Sequence, residues 1–383
     1  MRILMTVGVR RGREAGAASV VINHAEQLQK LGHEVESWFF DDVLPSPRWP
    51  ARLQELEFAF AVWRRIRRNP TQYDVVNLHA PSGVAYGLLR KLLPSAALPP
   101  YVFTLQGSEE RYAVAMRFEE KKGRASHFSW KNRVWQRLYR QTMYDIALST
   151  ADFGNVANRE GWILCELKYG HAPGRIWYIP NGTNPEFFQV RTCVESEALR
   201  LLFVGTWLDR KGVFYLVEAF EQLATRRPQL SLTVAGCGLR EEEVMAHFPA
   251  DLRSRVKVLP SVHREAMPDL YAGHDIFVFP SLVEGMPLTL LEAMASAMPV
   301  VTTNTCGMAD IVENGVNGIL VTAADSAQIA AAVESLCNSM ELRKSLGSAA
   351  QETARRLTWA AVALQLERVL HAAVLAKERS TPQ

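Results

Sequence analysis

At 383 residues the chain is too long for one ordinary hydrophobic core, and two domains of about 180 residues are expected. Its 48% hydrophobic residues are enough to fill both, while a formal net charge of +3 is too small to make nucleic acid a global partner. Five cysteines, Cys165, Cys193, Cys237, Cys306 and Cys337, are odd in number and include no C-x-x-C pair, so neither a disulfide framework nor a zinc site is indicated.

The first apolar run, residues 2–7, reads as a strand rather than a secretory signal, which needs a longer apolar core and a cleavage site. No apolar run approaches the eighteen or so residues of a membrane span, and a reducing cytosol is the expected compartment. A loop with Gly8, Gly12 and Gly16 leads into a helix over 17–31. The G-x-G-x-x-G spacing is absent, which disfavours a nicotinamide dehydrogenase. Gly16 can either admit a phosphate to a helix N-terminus or serve only as a turn. Gly32 caps the helix, and His33 reads as a turn residue. Strands over 74–78 and 101–105 end at His79 and Gln106, and strand ends are where open α/β sheets bind ligands.

Two basic, aromatic segments follow. Residues 48–70 carry six arginines against two glutamates, and residues 111–140 carry nine lysines and arginines against two glutamates. In the second, Trp130, Val134 and Leu138, with Trp135, Tyr139 and Met143, recur at helical spacing beside a cationic face. One reading is a contact with an anionic membrane surface or acceptor. The other packs the stripe on the sheet and leaves the arginines solvated. No RNA-binding motif accompanies either segment.

Further strand and helix patterns at 151–157 and 159–169 lead to Ile179-Pro180-Asn181-Gly182-Thr183-Asn184, whose Pro and Gly mark a link between halves. A strand over 201–205 meets the helix 213–226 through a turn holding Arg210 and Lys211. Adjacent cations before a helix repel each other unless solvated or shared by an anion, and a diphosphate is such an anion. Strands over 230–235 and 256–259 follow, the latter ahead of Val262 and His263.

Residues 276–279 form a short buried-strand pattern ended by Pro280, and Pro287 suits the first position of a helix that is apolar from 288 to 298. Its one charge, Glu292, needs a partner because an unpaired buried carboxylate loses several kcal/mol of hydration. Glu284 lies eight residues earlier, roughly 12 Å away if the separation were helical. Retaining glycosidases hold their carboxyls about 5 Å apart, so the pair suits a long ligand held at two points better than hydrolysis. A phosphate would sit between, at the helix N-terminus.

The run Pro280-Ser281-x-x-Glu284-Gly285-x-Pro287-Leu288-x-x-x-Glu292-Ala293-Met294-Ala295 resembles the E-x7-E motif of the retaining glycosyltransferases of family four, also called glycosyltransferase group 1. The resemblance implies the α/β GT-B fold, two facing Rossmann-like doubly wound domains with a cleft between them. It assigns residues 1–186, with a last helix over 358–383, to an acceptor-side domain and residues 187–357 to the donor-nucleotide domain. It further implies that Glu284 and the backbone at Gly285, Met286, Pro287 and Leu288 face the donor sugar, and that Glu292 holds the ribose. Lys211 matches a diphosphate-binding lysine, while Thr206 stands where relatives have arginine and Arg210 would substitute. Gly16 falls in the donor-approaching loop, whose usual Glu is missing. Val262 falls beside the base, and Gln106 stands where many relatives have a histidine; it can donate to a sugar hydroxyl but cannot act as a base.

The implied activity is transfer of a sugar, with retention, from a nucleoside diphosphate sugar to a glycan or lipid-linked acceptor in cell-surface polysaccharide or glycolipid synthesis. The basic, aromatic segments add the expectation of a cytoplasmic protein held peripherally at the inner face of the plasma membrane. No cofactor and no metal are expected, since cations and a helix N-terminus replace the ion and no D-x-D sequence is apparent. A GT-B scaffold protein, epimerase or phosphorylase are the alternatives.

Overall fold

The structure, a computed structural model, describes residues 1–12, 16–92, 98–124, 130–188 and 198–380; Cys193 lies outside them. The chain forms two compact units. The first comprises Met1–Glu110, Ser129–Asn181 and Trp359–Gln383, and the second Arg111–Phe128 and Gly182–Thr358. The division differs from the expected one by placing the helical segment after Glu110 in the second unit. Its charges explain why: Tyr215 Oη donates to Glu119 Oε1 at 2.6 Å, Lys122 Nζ donates to Tyr215 Oη at 3.1 Å, and Arg124 pairs with Glu218.

In the first unit six parallel strands are ordered β2-β1-β3-β4-β5-β6, with β1 Arg2–Thr6, β2 Glu34–Trp38, β3 Val75–His79, β4 Tyr101–Leu105, β5 Phe153–Val156 and β6 Ile176–Tyr178. Every residue of β3, β4 and β5 is buried, as strands covered on both faces must be. The helix Trp359–Ser380 lays Trp359, Val362, Leu366, Val369, Leu370 and Ala373 into this core, at the spacing of one helical face. By length and composition this helix could cross a membrane, contrary to the expectation that no such run exists. Its buried stripe packs instead against the helix Gly16–Lys30 and strands β3 to β5.

His79, at the end of β3, is a core residue rather than a cleft group. Burial drives its pKa down to about 3, with the charge of His24 adding to the effect, and burial alone takes His24 to about 4. Both imidazoles are therefore neutral in the folded protein at ordinary pH. The stripe around residue 134 divides between its two readings. Met143 is buried, Trp135 stacks on Tyr139 at 4.2 Å, and Arg140 pairs with Glu109 and Glu55. Trp130, Val134 and Leu138, however, remain 63%, 48% and 70% exposed, with Lys131, Arg133 and Arg137 exposed among them.

In the second unit the order is β12-β11-β10-β7-β8-β9, again all parallel, with β7 Arg200–Val204, β8 Ser231–Ala235, β9 Val256–Leu259, β10 Ile276–Phe279, β11 Val300–Thr303 and β12 Ile319–Val321. Strand order reverses at β7, which pairs with β8 on one side and β10 on the other. The loops leaving β7 and β10 therefore emerge side by side at the switch point, the usual place for a ligand in such a sheet.

Close strand packing in the first unit depends on Gly154 in β5, where a Cβ would lie 2.2 Å from the Phe103 ring of β4. Gly154→Ala should destabilise the protein by about 1–3 kcal/mol through overpacking, read as a lower urea midpoint.

Candidate functional site

The loop after β7 makes a short 3-10 turn, Asp209–Lys211, ended by Gly212 at φ 71°. Only glycine fits there, because a Cβ would stand 1.9 Å from the Pro280 carbonyl oxygen, in the loop that follows β10. The Leu282 N–H donates to the Arg210 carbonyl at 2.8 Å and locks the two loops together.

That contact brings three donors onto one carboxylate oxygen. Arg210 Nη1 and Lys211 Nζ each lie 2.7 Å from Glu284 Oε1, and Ser281 Oγ lies 2.9 Å from it. Lys211 is buried and its ammonium sits 4.9 Å from the centre of the Phe279 ring. Burial would raise the Glu284 pKa, but Lys211 and Arg210 outweigh it, aided by hydrogen bonds from Lys211 and Ser281, and hold the carboxyl below its ordinary range. Burial lowers the Lys211 pKa against the pull of Glu284, with Arg210 lowering it further. Arg210 and Lys211, expected at a diphosphate, are paired here with a carboxylate of the protein itself. Ser281 is the serine of the Pro-Ser-x-x-Glu run, and its bond to Glu284 depends on the turn between them.

Gly285, Met286 and Pro287 carry the chain from Glu284 to the helix Leu288–Ala295. Pro287 is the N-cap of this helix rather than its first residue, with φ −73° and ψ 121°, and no side chain caps the helix start. The helix stops three residues short of the expected 298, where Ala297 takes a left-handed φ of 54°. The loop is held down by Gly307, whose missing Cβ would lie 1.9 Å from the Gly285 carbonyl oxygen.

Glu292 is buried and has the partner its position demanded. Tyr271 Oη donates to its Oε2 at 2.9 Å, and Arg264 Nη1 lies 3.6 Å from its Oε1. Arg264 is shared with Glu186 at 3.2 Å. Burial raises the Glu292 pKa to about 7; Arg264 and the Tyr271 hydrogen bond oppose the rise, and Glu186 supports it. Neither Arg264 nor Tyr271 was singled out from the sequence, although Arg264 lies only two residues after Val262. Val262 is half-buried in the loop before the short turn Arg264–Ala266. Two predicted site residues belong to the first unit: Gly16 starts the helix Gly16–Lys30, and Gln106 follows β4, where its Oε1 accepts from Asn181 Nδ2 at 3.0 Å.

The Glu292 shift has a definite sign. Between its unfolded value of 4.5 and about 7 the folded state keeps a proton that the unfolded chain has released. Stability therefore falls as pH rises through that window, by up to about 3 kcal/mol. This component should be present in urea unfolding of the wild type at pH 5 and 8 and absent from Glu292→Gln.

Comparison with known proteins supplies the family. Residues 188–353 match the family model described as glycosyl transferases group 1, and residues 15–187 match that of glycosyltransferase family 4. A D-inositol 3-phosphate glycosyltransferase of Corynebacterium diphtheriae is 28% identical over 330 residues, covering 82% of this chain and 74% of that protein. Among solved structures, sucrose-phosphate synthase from Thermosynechococcus elongatus superposes with a TM-score of 0.77 at 20% identity, over 98% of this chain and all of that one. HepE of Anabaena, solved with UDP and glucose, gives 0.70 at 18% identity, over 97% of this chain and 100% of that one. The two family models adjoin and account for most of both units, and the chain belongs to the group 1, family four glycosyltransferases of the GT-B fold.

Proposed function

We propose that the protein moves a hexose from a uridine diphosphate sugar, with retention of anomeric configuration and without a metal, to an anionic or lipid-linked acceptor. The observation that carries this reading is the convergence of Arg210, Lys211 and Ser281 on Glu284 Oε1, in the loop that leads to a helix start without a side-chain cap. Two buried or half-buried cations that already share an oxyanion are arranged for a diphosphate. UDP as the donor nucleotide is supported by the likeness to HepE, which binds it.

In the reaction, the bond from the anomeric carbon to the diphosphate oxygen breaks while the acceptor oxygen bonds to the same face. The acceptor proton passes to the departing diphosphate. Lys211 and Arg210 stabilise the charge that grows on that diphosphate. Glu284 and the backbone from Gly285 to Leu288 face the sugar. Glu292, near half-ionised at neutral pH, accepts from ribose hydroxyls, and Val262 lies against the base.

The acceptor reading rests on the exposed Trp130, Val134 and Leu138 among exposed cations, a surface suited to an anionic bilayer at the cytoplasmic face. The inositol phosphate named for the Corynebacterium relative is likewise an anion.

Proton NMR of the product from a UDP-hexose tests the chemistry: the donor's anomeric configuration should be kept and chelation should leave the rate unchanged, whereas an inverted product or loss of rate on chelation would refute it. Lys211→Ala should lower kcat about a hundredfold or more. Anionic vesicles should raise turnover on a lipid-linked acceptor, and Leu138→Glu should abolish that gain; equal rates with and without vesicles would remove the membrane from the proposal.

A further inference from the structure

The first unit contains a cluster that the transfer chemistry does not use. His33, expected as a turn residue, sits between the helix Gly16–Lys30 and β2, and its ring reaches the last helix of the chain. Its Nε2 lies 2.7 Å from Glu367 Oε1, and His371 Nε2 lies 4.0 Å from the same oxygen. One ligand atom from each of the three residues lies within 4.8 Å of the other two.

We infer that His33, Glu367 and His371 form a binding site for a divalent transition ion of the zinc class, which fastens the helix Trp359–Ser380 to the turn after the helix Gly16–Lys30. The donor set is two imidazoles and one carboxylate, nitrogen and oxygen ligands that suit zinc and its neighbours rather than calcium or magnesium. Glu367 and His371 are four residues apart on one helix, so both project from the same face. His33 is held in place on two sides: its side chain is buried, and its second ring nitrogen, Nδ1, lies 3.2 Å from the Met1 nitrogen. The two imidazoles stand with centres 5.9 Å apart at 64°, turned toward the shared carboxylate.

Bound zinc sits about 2.0–2.1 Å from each ligand atom, so neighbouring ligands end roughly 3.3–3.5 Å apart. The present spacing requires the His33–Glu367 contact to open slightly and His371 to swing inward. The His371 side chain is half exposed, which makes it the member free to move and leaves a coordination position toward solvent. The contact it would reinforce joins residues 334 apart in the chain, and closing so long a loop is where a cross-link constrains the unfolded chain most. In the absence of an ion the same residues make an ordinary histidine–glutamate contact, and that is the alternative to be tested.

The test is calorimetric titration of Zn2+ into the full-length protein in a non-chelating buffer, with His371→Ala and Glu367→Gln alongside. The expected result is one site in the wild type, weakened at least tenfold in each variant. Zn2+ should also raise the unfolding temperature of the wild type and leave that of the variants unchanged, because an ion that binds only the folded state stabilises it. His371→Ala removes a half-exposed ring outside the core, and its circular dichroism should match the wild type; sugar transfer should be unaltered. No binding to the wild type, or binding of equal strength to folded His371→Ala and Glu367→Gln, overturns the site.

Discussion

The second unit is arranged around one carboxylate oxygen. Glu284 Oε1 takes Arg210, Lys211 and Ser281 at 2.7–2.9 Å, and these residues come from the loops of two strands that meet only because β7 and β10 are paired. Arg210 and Lys211 are adjacent in sequence, and burying two adjacent cations without an anion would be prohibitive. Glu284 supplies that anion and keeps them folded inward. An incoming diphosphate would find the cations already oriented and largely dehydrated, and it would share or displace an interaction that exists before it arrives. Preorganisation of this kind lets donors act on developing charge without rearranging during the reaction.

Glu292 follows a different logic. It lies in a helix with no other charge, and its partners come from the segment around Arg264 and Tyr271. Burial holds the Glu292 pKa high, and Arg264, which is also paired with Glu186, offsets that rise only in part. The two carboxylates of the motif thus differ in state: Glu284 is ionised by direct contact with cations, while Glu292 is poised near neutrality. A ligand with hydroxyl donors would favour the ionised form of Glu292, linking the site's protonation to its occupancy.

Much of this was legible before the structure because local patterns and tertiary demands agree. The helices 159–169 and 213–226 and the strands 256–259 and 276–279 lie where their periodicity and breakers place them. The need of Glu292 for a partner followed from burial alone. The identity of that partner did not, because Arg264 and Tyr271 reach it through the fold and no spacing in the chain announces them. The same holds for His33, which reads as punctuation after Gly32 until the last helix is packed beside it. The segment after Glu110 joins the second unit through Glu119, Lys122 and Arg124, polar contacts whose partners at Tyr215 and Glu218 lie more than ninety residues away. Trp130, Val134 and Leu138 have core-like spacing, and only the packing shows that the sheet does not cover them.

The central claim is that Arg210 and Lys211, gathered by Glu284, form a diphosphate site. Isothermal titration of UDP into the wild type and into Lys211→Ala tests it most directly. The account predicts binding to the wild type and a loss of at least tenfold in the variant, the effect of one charged hydrogen bond of about 1.5–3 kcal/mol. UDP binding of equal strength by the two proteins would contradict it.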